Sequence, residues 1–399
     1  MNSHPPPRRP GLFGRPVLTI TIVLAALIGV GAGSVAFANR DGDSVAAKRR
    51  QPTAPASARP SSVGVSADPA ATEPTSAGTI TLSATGDIMM SNAPRSMPPN
   101  GGAGFFNAVR GGLRSDLVMG NLEQPLTENT GASKCGSPPE PNCYAFRSPP
   151  SYARHLADGG FDLMNTANNH TKDMGTAGAR NTRVALAGAG LKYTGNAGEI
   201  TVVEVKGIKV AVIGFSSYAG ANNLNDLPAA RAVVRTAAGR ADLVVVQVHM
   251  GAEGAGMQHV KPGHEIFHGE DRGDPIAFSH AVIDAGADLV IGHGPHVLRG
   301  MQFYRGKLIA YSLGNFAGGG HTLNRGGVLK YGGIVHVTLT RDGTFAGGRL
   351  VSTQMNSDGL PTQDRPDGQS RKLVAQLSAA DFGKTGAKLG KDGSIALPS

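Results

Sequence analysis

Tryptophan is absent from the 399 residues, aromatic side chains make up only 5% of them, and cysteine occurs only at Cys135 and Cys143. Two thiolates alone do not build a zinc site, and no histidine lies in the loop between them, so a metal pair is the weaker reading of the cysteines. In an exported chain the default is one disulfide, closing a short loop through Pro138, Pro139 and Pro141. A single staple tightens that loop and does not replace a hydrophobic core. Acidic residues are also scarce, 29 against 38 Lys and Arg, which gives a net charge of +9. Residues 1–60 hold eight of the basic residues and two Asp, so +6 of the excess sits there and the other 339 residues carry only +3. A basic groove for nucleic acid is excluded on that distribution.

Long apolar runs are equally rare. Residues 16–38 are uncharged and rich in Leu, Ile, Val and Ala, and their 23 residues suffice for a bilayer, which takes about 20 in a helix. Arg8, Arg9 and Arg15 precede the run, so residues 1–15 read as a basic cytoplasmic N-terminus and the remainder as exported. Ala36-Phe37-Ala38 also resembles a signal-peptidase site. The expectation is a single-pass protein of the cell membrane with its C-terminal domain outside the cytoplasm, the alternative being secretion after cleavage. Residues 39–78, dominated by Ala, Pro, Ser and Thr, cannot bury enough surface to offset ordering entropy and read as a linker. Residues 356–399 are polar and Gly-rich and read as a mobile tail, with a short helix at 371–377.

Between them, at 79–355, apolar runs of four to seven residues alternate with longer Ala- and Gly-punctuated stretches, the pattern of one large α/β domain. The runs share a design. Residues 80–84 lead to Gly86-Asp87, 116–119 to Asn121 and Glu123, 162–164 to Asn168-Asn169-His170, 242–248 to His249, and 288–291 to His293 and His296. Ligands of α/β folds gather at the carboxyl ends of strands, so five runs that each deliver Asp, Glu, Asn or His there point to one site. Helices are expected at 151–157, 176–189 and 276–285, the last two stopped by glycine. Residues 332–340 read as a late strand at an edge, with His336 structural. Residues 252–275 read as a flap over the site or as a solvated loop.

Asp87, Glu123, Asn169, His249, His293 and His296 form an oxygen and nitrogen donor set without sulfur, suited to one or two divalent ions of Mn, Fe or Zn. Two such ions could hold the attacking and leaving oxygens of a phosphoryl displacement. His170 could protonate the leaving group.

The ordered series Gly86-Asp87, Asn121-Leu122-Glu123, Ala167-Asn168-Asn169-His170, His249-Met250-Gly251, Gly292-His293-Gly294-Pro295-His296 and Tyr311-Ser312-Leu313-Gly314-Asn315-Phe316 resembles the CapA family. That family is the poly-γ-glutamate capsule biosynthesis branch of the calcineurin-like metallophosphoesterases. The resemblance implies a four-layer α-β-β-α sandwich of the metallophosphoesterase type, with its metal centre at the strand ends. It places Asp87 near or between the ions and Glu123 at the second acidic motif. Asn169 and His249 would serve one ion, with His293 and His296 divided between the two, and His170 would be the acid or phosphate-contacting histidine. The sequence departs from the superfamily at Asp87-Ile88-Met89, which has Met where a His ligand stands, and at His249-Met250-Gly251, where the family has His-Trp-Gly. The implied function is a metal-dependent hydrolase of phosphoester or polymer linkages in capsule or cell-envelope polymer biosynthesis. The alternative is a non-catalytic scaffold or polymer-handling subunit of a membrane synthase. A solute-binding protein would need a second lobe, and no second repeat of strands is visible.

Overall fold

The computed structural model describes residues 78–364 and 368–398. The N-terminus, apolar segment and linker read at 1–77 lie outside the described residues, and no described helix is long and apolar enough to cross a membrane.

The apolar runs are uninterrupted because their strands are buried on both faces. In the strand Ile208–Ser216, Val210 and Val212 face one core while Ala211, Ile213 and Phe215 face another. Side chains alternate across a strand, so two apolar sets in one run require cover on both sides. Parallel strands Lys307–Ala310, Leu289–His293, Leu243–His249 and Ile208–Ser216 form the centre of a seven-stranded sheet. A ten-stranded sheet has Thr79–Met89, Leu117–Leu122, Leu163–Asn165 and Lys192–Thr194 side by side and parallel, with Tyr331–Thr340 and Phe345–Met355 added antiparallel.

Three cores separate four layers. Ile80, Leu82, Met119 and Leu163 of the larger sheet meet Val212, Val245 and Ile291 of the smaller one. The outer face of the smaller sheet packs on helices Leu227–Ala238 and Pro275–Asp284 through Val234, Phe278 and Val282. That of the larger sheet packs on Phe106, Leu156 and Leu186, the last two from helices Ala153–Gly159 and Gly175–Gly188. This is the α-β-β-α sandwich that the resemblance implies, and the three expected helices are each present within two residues of their expected bounds. Cys135 and Cys143 are joined as a disulfide.

Two expectations are corrected. The strand Tyr331–Thr340 lies inside its sheet, between Thr79–Met89 and Phe345–Met355; its alternation reflects a sheet whose outer face is only partly covered there. His336 on it is structural, its Nε2 2.7 Å from the Gly112 carbonyl. The polar stretch after 355 is folded, not a mobile tail: it forms strands Pro361–Gln363, Lys388–Leu389 and Ser394–Ala396 and the fourteen-residue helix Gln369–Phe382. Val374 and Phe382 bury there against the sheets, and Leu377 is buried beside them on the same helix.

Residues 252–275 reach over the site, with Glu253 3.7 Å from His296 Nε2, and they are tied down at their base while 261–264 and 268–271 stay exposed. The buried Arg299 guanidinium donates to both Glu265 carboxylate oxygens, at 2.9 and 2.7 Å, and to the Ala252 and Met257 carbonyls. Removing one member of a buried ion pair leaves the other charge without a partner, at about 3–5 kcal/mol. Arg299→Ala is therefore expected to lose about 3–5 kcal/mol in denaturant unfolding, and a loss below about 1 kcal/mol would show that the anchor is not needed.

Candidate metal centre

Register brings the predicted residues together. In the larger sheet Asp87 is paired with both Asn121 and Asn315, and Asn121 with Asn165. In the smaller sheet His249 is paired with His293 and with Ser216. The carboxyl edges of both sheets thus meet in one place, as parallel strands with crossover helices demand.

Two glycines allow the approach. A Cβ at Gly86 would overlap the Gly314 carbonyl oxygen, whose partner is the Asp87 amide at 2.9 Å. Gly294, at φ +109°, would put a Cβ 3.0 Å from His249 Nε2, in a region of backbone space that favours glycine.

The ligand atoms of Asp87, Glu123 and His249 lie within 4.8 Å of one another, and all three residues are fully buried. Asp87 is oriented by an amide relay. Asn165 and Asn168 donate to Asn121 Oδ1 at 2.9 and 3.2 Å, and Asn121 donates to Asp87 Oδ1 at 2.8 Å. The Gly294 amide donates to the other oxygen at 3.3 Å. Glu123 has nothing comparable: neither carboxylate oxygen has a hydrogen-bond partner among the described residues, nor does either ring nitrogen of His249. Its Oε1 lies 3.7 Å from His249 Nε2.

His293 is held from behind, its Nε2 3.2 Å from Gln247 Oε1, which leaves Nδ1 facing Asp87 Oδ1 at 3.6 Å. Asn169 contributes a buried Oδ1 with no partner. His296 differs from the others. Its Nδ1 is 2.9 Å from Asn315 Oδ1 and 3.2 Å from Asp87 Oδ2, and its Nε2 lies 3.5 Å from Glu123 and 3.7 Å from Glu253. Both ring nitrogens face acceptors, the surroundings of an imidazolium. Its φ of +58° is strained for a non-glycine residue, which marks a position fixed by its surroundings.

Burial pushes the Glu123 carboxyl well above the usual range and the His249 imidazole well below it, while His293 is lowered to about 4 by the same cause. His296 is also penalised by burial, but Glu123, Asp87 and Glu253 together raise it well above an ordinary histidine. Protons thus supply the positive charge that these carboxylates require. A cation entering the site displaces them, so its affinity should rise with pH as Glu123 and His296 give up protons more readily. Metal titrations at pH 6 and pH 8 check the sign: tighter binding is expected at pH 8.

His170 lies beside the ligand set. Its Nδ1 is 2.7 Å from the buried Asp173 Oδ2, and Lys134 Nζ is 2.7 Å from Oδ1. Lys134 Nζ also lies 3.1 Å from Nδ1, but the carboxylate is the nearer neighbour and would repel a lone pair, so Nδ1 carries the proton toward Asp173 and Nε2 is left without a protein partner among the described residues. Asp173 also accepts from the Phe146 amide at 2.7 Å.

Three residues of the site escape sequence reasoning as functional groups. Asp173 lies three positions beyond His170, a spacing that signals nothing outside a helix. Asn315 stands in a quoted motif without a role. Glu253 comes from the insertion, where Arg272 pairs with it at 3.0 Å and reaches Glu270 while stacking on Tyr218. Met89 is buried and lines a cleft of about 430 Å³ together with His170, Glu253 and His296.

The chain is 28% identical over 323 residues to the PGA biosynthesis protein CapA of Bacillus subtilis, covering 76% of this chain and 78% of the relative. It is 32% identical over 262 residues to the capsule biosynthesis protein CapA of Bacillus anthracis, covering 59% of each chain. A probable polyglutamine synthesis accessory protein of Mycobacterium tuberculosis is 30% identical over 268 residues, covering 62% of this chain and 67% of that one. The family profile described as bacterial capsule synthesis protein PGA_cap matches residues 81–319, a span that holds every residue of the centre. The chain belongs to the PGA_cap family of bacterial capsule synthesis proteins.

Proposed function

We propose that the protein is exported, is held at the cell membrane by residues 16–38, and acts as a metal-dependent hydrolase of phosphoester or polymer linkages in capsule or envelope polymer biosynthesis. One observation carries the catalytic part: Asp87, Glu123 and His249 converge within 4.8 Å while the oxygens of Glu123 and the nitrogens of His249 have no hydrogen-bond partner among the described residues. Burying a bare carboxylate costs several kcal/mol, and a divalent cation removes that cost. The biological context rests on the relatives, whose names place them in PGA and capsule biosynthesis. The same names support a partner, a membrane synthase of an anionic polymer.

Asp87, Glu123, Asn169, His249 and His293 would hold the metal, with His296 joining them once its proton is displaced, and the donor type suits Mn, Fe or Zn. When bound it would lower the pKa of a coordinated water to about 7. The remaining work falls to the chain. Asn121 and Gly294 fix the Asp87 carboxylate. Asp173 holds the His170 ring so that Nε2 can hand a proton to a leaving group, and Glu253 with Arg272 walls the outer side. General acids of this kind contribute about 10²–10⁴-fold. His170→Asn should therefore cut turnover of a generic phosphodiester by about 10²–10⁴-fold with metal content unchanged. Equal turnover would remove His170 from the chemistry.

A second reading is favoured by Met89, a buried thioether lining the site where the superfamily has a histidine ligand. In it the domain handles polymer for the synthase without catalysis. Less than one equivalent of metal and no metal-dependent turnover would select that reading.

A further inference from the structure

The helix Gly175–Gly188 turns Thr176, Ala179, Arg180 and Arg183 toward a cleft of about 490 Å³. Spacings of three and four residues put these side chains on one stripe of a helix. Lys172 joins them at the rim, and no carboxylate lines the cleft. Arg180 is exposed and engages no acidic partner among the described residues. Arg183 lies 3.6 Å from Glu199 and over the Tyr193 ring, 5.5 Å from its centre, and Lys172 donates to the Ala219 carbonyl at 2.8 Å.

The inner end of the cleft is Asn169, Ser216 and Tyr218. Each adjoins the metal centre: Asn169 has a buried Oδ1 without a partner, Ser216 is the register partner of His249, and the Tyr218 ring lies 6.4 Å from that of His249. The cleft therefore leads from the surface to the ligand set. The other opening, beside Met89, Phe146 and Glu253, is lined by no Lys or Arg. Negative charge on a substrate has one favourable side on which to lie.

We propose that the cleft beside Gly175–Gly188 is an anion subsite. It seats an oxyanion of the substrate, carboxylate or phosphate, with Arg180 as the main contact and Arg183 and Lys172 flanking it. Two guanidinium groups about one helical turn apart suit neighbouring charges on a chain better than a single ion. The placement of substrate rests on the hydrolase reading; the binding of the anion does not.

The test uses the full-length protein in EDTA, with a synthetic hexaglutamate peptide and inorganic phosphate as probes. A hydrogen bond to a charged group contributes about 1.5–3 kcal/mol, so Arg180→Ala and Arg183→Ala should each weaken binding by about tenfold or more. Added salt should weaken it further. Arg154→Ala, an exposed change on the helix Ala153–Gly159, should leave binding unchanged. A response from the peptide identifies carboxylate as the ligand, and a response from phosphate alone identifies phosphate; either supports the subsite. Binding of neither probe overturns it, as does binding indifferent to Arg180 and Arg183 or weakened equally by Arg154→Ala. With metal uptake read in a parallel titration with Mn or Zn without EDTA, Arg180-dependent binding by a chain that takes up no metal would sink the hydrolase reading and keep the subsite. Metal uptake with Arg180-indifferent binding would do the reverse.

Discussion

A chain ended after Asp364 is expected to lose cooperative folding. The helix Gln369–Phe382 and the strands after it cover Met301, Phe303 and Leu350, which are 0, 5 and 2% exposed. Uncovering a large apolar side chain costs about 1.5–3 kcal/mol, so three of them approach the 5–15 kcal/mol by which a domain is typically stable. Polar cover goes as well: Ser378 Oγ accepts from the Met301 amide at 2.8 Å, and Asp381 pairs with His259 at 2.6 Å. The consequence reaches the site, because Met301 begins the strand that follows His293 and His296, and Arg299 just before it anchors the insertion carrying Glu253. Circular dichroism melts and limited proteolysis check this. A truncated chain that melts cooperatively at the temperature of the full one would show that the C-terminal segment is dispensable.

His249→Ala is expected to release the metal. The His249 ring nitrogens make no hydrogen bond among the described residues, so truncation to Ala removes no side-chain hydrogen bond and leaves the backbone pairing of its strand in place. Residues that merely orient a metal ligand cost about 10–100-fold in affinity when removed, so loss of a direct ligand should cost at least about a hundredfold. Titration with Mn or Zn measures it, with circular dichroism confirming the fold. The same variant should have no metal-dependent turnover. Unchanged affinity would mean that the two free nitrogens face nothing.

The strand ends were legible because burial on both faces produces continuous apolar runs, and because each run stops at a polar side chain. That pattern located Asp87, Glu123, His249 and His293 without any knowledge of pairing. Pairing is what it could not supply. Asn315 and Asn121 matter as the two neighbours of Asp87 in the sheet, a relation across 228 and 34 positions that no local pattern encodes. Glu253 enters the site only because Arg299 and Glu265 fold the insertion back. The C-terminal helix is longer than the expected 371–377; Ser370 and Ser378 are buried on its inner face beside Val374 and Leu377, so its outer turns carry too few apolar positions to show a helical period. The motif places His296 in a histidine pair divided between two ions, and what it could not show is that its ring nitrogens face Asn315, Asp87, Glu123 and Glu253.

Metal content tests the central claim most directly. Full-length protein, purified without added metal and desalted, should retain about one equivalent or more of Mn, Fe or Zn, and Asp87→Asn should retain almost none. Wild-type protein free of divalent metal even after incubation with Mn or Zn, or Asp87→Asn holding as much as wild type, would contradict it.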